Sequence, residues 1–198
     1  MTYYKDCELK EYNSRIILVT GGARSGKSSF AEKLVADIGE EIAYIATAIP
    51  FDEGMKDRIK KHRESRPGEW TTYEIYKDVY RSIGEISENH DTILLDCVTI
   101  LVTNLMFENT EINWDEIARD KIDEIEDSIK EQVELLMKEI REKKMKCVLV
   151  TNELGMGIVP ENRLSRIFRD IAGRINQLVA ANADEVYFAV SGIPMKIK

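Results

Sequence analysis

The feature that most constrains the fold is a glycine-rich segment between an apolar run and a helical pattern. The run RIILVT (15–20) is typical of a buried strand, and GGARSGKS (21–28) follows it directly and fits the pattern G-x-x-x-x-G-K-[ST]. Beyond it, residues 27–39 carry apolar side chains at helical spacing and end at a glycine. A strand that turns through glycines into a helix forms a cradle for phosphate groups, so we predict a nucleotide-binding loop here.

Each residue type in this loop suits that role. The glycines allow a tight turn that points backbone N–H groups at phosphate oxygens, and the dipole of the following helix adds to the attraction. Lys27 is predicted to neutralise the outer phosphates, and Ser28 to ligate Mg²⁺. The predicted phosphate-binding residues are Gly21, Gly22, Ala23, Arg24, Ser25, Gly26, Lys27 and Ser28.

A second acid for the metal is expected at the end of a neighbouring strand. The run ILLD places Asp96 directly after apolar residues that are typical of a buried strand. We therefore predict that Asp96 completes the Mg²⁺ site with Ser28.

The rest of the chain alternates strand and helix patterns, which predicts an α/β fold with a mostly parallel sheet and helices on both faces. Strands are expected at 41–47, 71–76, 91–97, 146–151 and 183–190, with an edge strand near the end of the chain. Helices are expected at 52–67, 77–88, 98–108, 114–144 and 161–182. No linker divides the chain, so residues 15–198 are predicted to form one P-loop domain and residues 1–14 an N-terminal extension.

Charge and composition narrow the partners and the compartment. A net charge of −8 and a pI near 5.0 argue against a nucleic-acid partner, so phosphate must be held by a local site. Cys7, Cys97 and Cys147 are scattered, which favours buried thiols in a reducing compartment over disulfides. No segment resembles a signal peptide or a membrane span, and a cytoplasmic location is expected.

One basic segment stands out in this acidic chain. The run RIKKHRESRP (58–67) surrounds His62 with lysines and arginines. Nearby cations lower the pKa of an imidazole and favour its neutral, nucleophilic form, and they also stabilise a phosphate under attack. His62 is therefore a candidate to carry a covalent phosphoryl or nucleotidyl group. The alternative is a solvated basic helix face.

A second concentration of arginines follows a predicted strand end, in TNELGMGIVPENRLSRIFRDIAGRIN (151–176). Open α/β sheets bind ligands at such ends. The arginines either clamp phosphates or pair with the abundant acids, and spacing alone leaves both open; they are Arg163, Arg166, Arg169 and Arg174.

Taken together, these motifs resemble a known enzyme family. The segments VTGGARSGKSSFAE, YIATA, RIKKHRESRP, LLDCVTILVTNLMF and VTNELGMGIVPENRLSRIFRDIAGRINQ are similar, in this order, to the bifunctional adenosylcobinamide kinase/adenosylcobinamide-phosphate guanylyltransferases of cobalamin biosynthesis. The resemblance spans about residues 15–198. It implies a RecA-like P-loop fold, a homotrimer, and phosphorylation of adenosylcobinamide by ATP or GTP. It also implies transfer of GMP from GTP, through a histidine, to adenosylcobinamide phosphate.

The resemblance also implies functional residues. Carried over by position, the guanylylated histidine is His62. Further nucleotide contacts fall on Ile45, Ala46, Thr47, Arg63, Glu64, Ser65, Arg66, Glu74 and Asp96.

Two other classes of protein share the loop. A P-loop kinase or ATPase with one activity needs the loop and Asp96 but not His62. A GTP-dependent switch usually carries an N-K-x-D segment, and the nearest run, TNEL, has Glu153 in place of the lysine.

Overall fold

The computed structural model describes residues 14–49, 53 and 67–198, which form a seven-stranded sheet with helices. The sheet has the order β3-β2-β4-β5-β1-β6-β7, and all pairs are parallel except β6 with β7. The strands are β1 Arg15–Gly21, β2 Ile42–Ala46, β3 Thr71–Glu74, β4 Thr92–Asp96, β5 Lys146–Asn152, β6 Glu185–Val190 and β7 Ile193–Lys196. The predicted α/β class with a mostly parallel sheet is confirmed.

The helices of the described residues follow the sequence pattern closely. They are α1 Lys27–Ile38, α2 Ile83–Ile86, α3 Val98–Met106, α4 Arg119–Glu142 and α5 Arg163–Asn182, with a 3-10 turn at Val79–Ser82. The helix predicted at 77–88 is therefore shorter and partly 3-10. The helix predicted at 52–67 and the extension predicted at 1–14 lie outside the described residues, apart from Ser14, Glu53 and Pro67.

The long amphipathic stretch was predicted to be helical from residue 114, and this start was wrong. Residues 114–116 form a turn, residues 117–118 are irregular, and α4 begins at Arg119. Arg163 donates hydrogen bonds to the carbonyl oxygens of Trp114 and Ile117, so these acceptors are engaged by a distant side chain. Such a tertiary contact overrides the helical spacing of the apolar residues.

The two faces of the sheet carry separate clusters of buried side chains. One face packs Ile17, Val19 and Val150 against α1, and we call it the α1 face. The opposite face packs Leu18 and Leu149 among the buried residues of α3, α4 and α5. The apolar stripe of α4 lies in this second core, as expected for an amphipathic helix. Both faces are thus covered, and burial of each Ile, Leu or Val there stabilises the fold by about 1.5–3 kcal/mol.

None of the described helices has both the length and the apolar composition needed to cross a bilayer.

Candidate functional site

The glycine-rich loop joins β1 to α1 in the predicted way. Gly26 has a φ of +87°, a left-handed conformation that glycine adopts without strain. Lys27 begins α1 and is only 8% exposed. Its Nζ donates to the Gly22 carbonyl oxygen at 3.1 Å, so the ammonium group lies across the loop. The loop therefore presents a positive charge and a helix N-terminus at the carboxyl edge of the sheet, as a phosphate site requires.

The turn between β6 and β7 supports this loop. Gly192 donates its backbone N–H to the Ser25 carbonyl oxygen at 2.9 Å. A Cβ atom on Gly26 would lie 3.0 Å from the Gly192 Cα, and one on Gly21 would lie 2.5 Å from the Ala189 carbonyl oxygen. The end of β6 and the turn that follows it therefore pack directly against the loop. The motif predicted the glycines but contained no signal for this partner.

Asp96 lies at the same edge of the sheet, but its strand is not adjacent to β1. The expectation of a neighbouring strand was wrong, because β5 lies between β1 and β4. The Asp96 carboxylate accepts a hydrogen bond at 2.9 Å from the hydroxyl of Tyr44, whose ring belongs to the α1-face cluster. Asp96 therefore projects to the face on which α1 begins. The predicted metal ligands, Ser28 and Asp96, thus lie on the same face of the sheet and near the carboxyl ends of its strands.

Residues 45–47 were predicted to contact the nucleotide, but most of their side chains make structural contacts within the protein. The Ile45 side chain is fully buried on the face opposite α1. Thr47 is also fully buried, and its hydroxyl bridges both backbone groups of Cys97 at 2.9 Å. Of the three predicted contacts in this segment, only Ala46 has a partly exposed side chain. Burial next to Asp96 raises the pKa of the Cys97 thiol to about 12, so this thiol is not a nucleophile at neutral pH.

Glu74 ends β3, the outermost strand, in register with Ala46. Its exposed carboxylate accepts from the Tyr76 hydroxyl at 3.2 Å. Asn104 of α3 holds this part of the edge together, since its amide donates to the carbonyl oxygens of Thr47 and Tyr76, each at 2.9 Å. An asparagine within an apolar helix carries no sequence signal of its partners, so this link could not be predicted.

The predicted nucleophile and the segment around it lie outside the described residues. They are His62, Arg63, Glu64, Ser65 and Arg66. Their assignment stays a prediction.

The arginines that follow β5 serve mainly structural contacts. Arg174 pairs with Glu126 of α4 through two hydrogen bonds of 2.6 Å. Arg163 binds backbone carbonyl groups before α4, and Arg166 donates to the carbonyl oxygens of Pro160 and Glu161. Arg169 lies 3.8 Å from the Asp170 carboxylate. Of the two alternatives, pairing is therefore favoured for Arg174.

A pocket of about 330 Å³ adjoins the loop on the side of β6. It is lined by Gly22–Ser25, Glu153, Met156 and the end of β6 with its turn. Met156, Ile158 and Val159 in the loop after β5 are highly exposed, at 79%, 96% and 61%. Of these three residues, Met156 lies in the pocket beside the phosphate cradle.

Comparisons with known proteins match the chain to one family over nearly its whole length. The profile of the family described as "CobU: Cobinamide kinase / cobinamide phosphate guanyltransferase" matches residues 17–197. The chain is 48% identical over 187 residues to the bifunctional adenosylcobalamin biosynthesis protein CobU of Salmonella typhimurium and 46% identical to that of Escherichia coli. Each alignment covers 92% of this chain and 99% of the relative.

A more distant relative is the bifunctional adenosylcobalamin biosynthesis protein CobP of Pseudomonas aeruginosa, 36% identical, with 91% of this chain and 96% of the relative covered. Among solved structures, a KaiC-like protein from Pyrococcus horikoshii is 14% identical with a TM-score of 0.47, covering 88% of this chain and 70% of that one. The family profile and the three sequence relatives each span nearly the whole chain. The chain therefore belongs to the cobinamide kinase / cobinamide phosphate guanyltransferase family.

Proposed function

We propose that this enzyme catalyses two successive reactions of cobalamin biosynthesis. It phosphorylates a hydroxyl of adenosylcobinamide with ATP or GTP. It then transfers GMP from GTP to His62 with release of pyrophosphate, and passes the GMP to adenosylcobinamide phosphate, giving adenosylcobinamide-GDP. The observation that carries the proposal is the family match over residues 17–197. The phosphate loop with Lys27, and Asp96 at the same carboxyl ends of the strands, agree with it.

The described residues fit Mg²⁺ as the cofactor. The Ser28 hydroxyl and the Asp96 carboxylate supply hard oxygen donors, and Asp96 projects to the face on which Ser28 lies in the first turn of α1. Within the described ranges no group of three acidic, histidine or cysteine side chains forms a metal cage. Mg²⁺ prefers one or two protein oxygens together with substrate phosphates, so this sparse donor set suits it. When bound, the ion would neutralise charge on the phosphate oxygens.

One loop can serve both reactions because they break different bonds of the same triphosphate. Phosphorylation breaks the bond to the γ-phosphate, and guanylyl transfer breaks the bond between the α- and β-phosphates. What differs is the phosphorus atom that lies in line with a nucleophile. The substrate hydroxyl attacks in the first reaction and the His62 imidazole in the second.

The covalent step divides one transfer into two. The neutral His62 imidazole attacks the α-phosphorus of GTP and pyrophosphate leaves. A phosphate oxygen of the corrinoid then attacks the same phosphorus atom and restores the free histidine. The five basic residues within four positions of His62 support this role, since they favour the neutral imidazole and stabilise the attacked phosphate.

A homotrimer and a cytoplasmic location complete the proposal. The exposed side chains of Met156, Ile158 and Val159 support an assembly, because several exposed apolar residues within one loop are typical of protein contacts or ligand sites. The net charge of −8 supports small-molecule partners and no nucleic acid.

The test is to incubate the protein with Mg²⁺ and GTP labelled at the α- or the γ-phosphate, and to denature it. We expect α-label to stay on the chain, to be acid-labile and alkali-stable, and to be absent from His62→Asn. Parallel assays measure phosphorylation of adenosylcobinamide, which His62→Asn should retain. An enzyme that binds GTP, retains no label and keeps full activity in His62→Ala would instead be a kinase alone.

A further inference from the structure

Asn152 ends β5, the strand that lies between the loop strand β1 and the Asp96 strand β4. We propose that its side-chain amide binds the terminal phosphate of the nucleoside triphosphate. In the sequence this residue lies at the end of a predicted strand and within TNEL, a failed match to a guanine-reading segment, and no pattern assigns it a role of its own. The inference rests on the proposed function for the identity of the nucleotide, and deepens it by one binding residue.

The direction of the Asn152 side chain follows from its neighbours along the strand. Thr151 projects to the face of α3 and α5, where its hydroxyl lies 3.0 Å from that of Thr99 and donates to Asn176 Oδ1 at 2.7 Å. Val150 belongs to the α1-face cluster. Because successive side chains alternate between the faces of a sheet, Asn152 projects to the α1 face, as Val150 does.

Register places this side chain between the two predicted parts of the site, the loop and Asp96. Asn152 pairs with Gly21, the first residue of the phosphate loop, and Val150 pairs with Asp96. Because Asn152 is two residues beyond Val150, it lies two residues further along the strand direction than Asp96 does. A phosphate held by the loop and by a metal at Asp96 would have this amide at its side.

The backbone of Asn152 is fixed on both sides before any ligand binds. Its N–H donates to the Thr99 hydroxyl at 2.7 Å, and its carbonyl accepts from the Asn176 amide at 3.0 Å. The next residue, Glu153, donates its N–H to the Gly21 carbonyl at 3.1 Å. Helices α3 and α5 thus hold the strand end against the loop. The backbone that carries the binding group is therefore in place before its ligand arrives.

The amide itself is available. Its side chain is partly exposed, and no hydrogen bond from it is formed to any other described residue. An amide N–H can donate to a phosphate oxygen without adding charge beside Lys27. A carboxylate of the same shape would repel the phosphate, which gives a matched pair of variants, Asn152→Ala and Asn152→Asp.

The experiment compares GTP with GDP, which lacks the terminal phosphate. Affinities are measured by calorimetry with Mg²⁺ in the His62→Asn background, so that no guanylyl transfer consumes the GTP. We expect Asn152→Ala to weaken GTP binding about tenfold, the value of one hydrogen bond to a charged group, and Asn152→Asp to weaken it more. GDP affinity should stay within about twofold. Asn89→Asp, the same charge change on an exposed residue before β4, should alter neither affinity.

Equal losses of GTP and GDP affinity would overturn the proposal, because they would indicate a general distortion of the loop. Unchanged GTP affinity in both variants, or a parent that binds GTP no more tightly than GDP, would overturn it too. No corrinoid enters this comparison. A protein that fails to phosphorylate adenosylcobinamide but shows the selective loss would refute the proposed function and leave the role of Asn152 standing.

Discussion

Gly26 and Gly192 face each other where the phosphate loop meets the turn between β6 and β7, and they carry different constraints. Both have positive φ values, +87° and +83°. A Cβ on Gly26 would approach the Gly192 backbone to 3.0 Å, whereas one on Gly192 would have no atom within 4 Å. The first glycine is required by conformation and by space, and the second by conformation alone.

These two positions give a matched prediction. Gly192→Ala should lower the free energy of unfolding by about 1–2 kcal/mol, the cost of a left-handed alanine, and leave GTP affinity nearly unchanged. Gly26→Ala carries the same cost and must also displace the loop or the turn, so GTP affinity should fall at least about tenfold. Urea denaturation and calorimetry measure the two effects. Equal affinities in the two variants would show that the contact between loop and turn is not needed for binding.

The loop motif predicted Gly26, and spacing could not have predicted its contact with residue 192. The same limit applies to Asp96 and Asn152. Each could be recognised in the sequence as a polar residue after an apolar run. Only the strand order shows that the strand of Asn152 lies between the strand of Asp96 and the strand that leads into the loop. That order depends on how crossovers pack, which the local pattern of a strand does not contain.

Helices α4 and α5 are joined by an ion pair between a buried carboxylate and a partly exposed guanidinium group. Glu126 is 4% exposed and accepts two hydrogen bonds from Arg174. It also forms an ion pair with Lys130 at 3.0 Å. Burial raises the pKa of Glu126, but the hydrogen bonds from Arg174 and Lys130 outweigh it and lower the pKa below its ordinary value. The helical spacing predicted the apolar stripe of α4, but it could not predict that a carboxylate, Glu126, would be buried on the same face.

Removing one partner of this pair should cost more than removing both. Arg174→Leu leaves a buried carboxylate with Lys130 alone, and we expect about 1–3 kcal/mol less stability in urea denaturation. The double variant with Glu126→Leu should recover part of that loss, because no buried charge remains. Arg119→Leu, which breaks the exposed pair with Asp123, should cost less than about 0.5 kcal/mol. A double variant less stable than Arg174→Leu would contradict this account.

Across the whole molecule, the two ends of the parallel strands hold different groups. The loop, Asp96 and Asn152 lie at the carboxyl ends of the strands. At the amino ends, Glu185 at the start of β6 pairs with Arg15 at the start of β1, and also with Lys196 of β7 at 2.8 Å. This cluster ties the loop strand to the last two strands, whose turn supports the loop. Alternating patterns in the sequence predicted the sheet and its class, but charges far apart in the chain gave no sign of this cluster.

The cluster predicts a specific dependence of stability on pH. Burial raises the pKa of Glu185, but hydrogen bonds from Lys196, Arg15 and Tyr187 lower it to about 2, against an ordinary value of 4.5. Because the folded-state pKa is depressed, the contribution to stability is complete above pH 4.5 and is lost as the pH falls toward 2. The difference corresponds to about 3 kcal/mol, which solvent screening of the half-exposed Arg15 and Lys196 reduces to about 1–2 kcal/mol.

Glu185→Gln should therefore be less stable than the parent by about 1–2 kcal/mol at pH 7, and the two stability curves should converge as the pH approaches 2. Urea denaturation at a series of pH values measures the difference. Glu142→Gln, at an exposed pair on α4, serves as the control and should follow the parent throughout. A gap between Glu185→Gln and the parent that stays constant down to pH 2 would mean that the Glu185 side chain stabilises the edge by packing and not by its charge. In that case the link from this edge to the phosphate loop would not depend on pH.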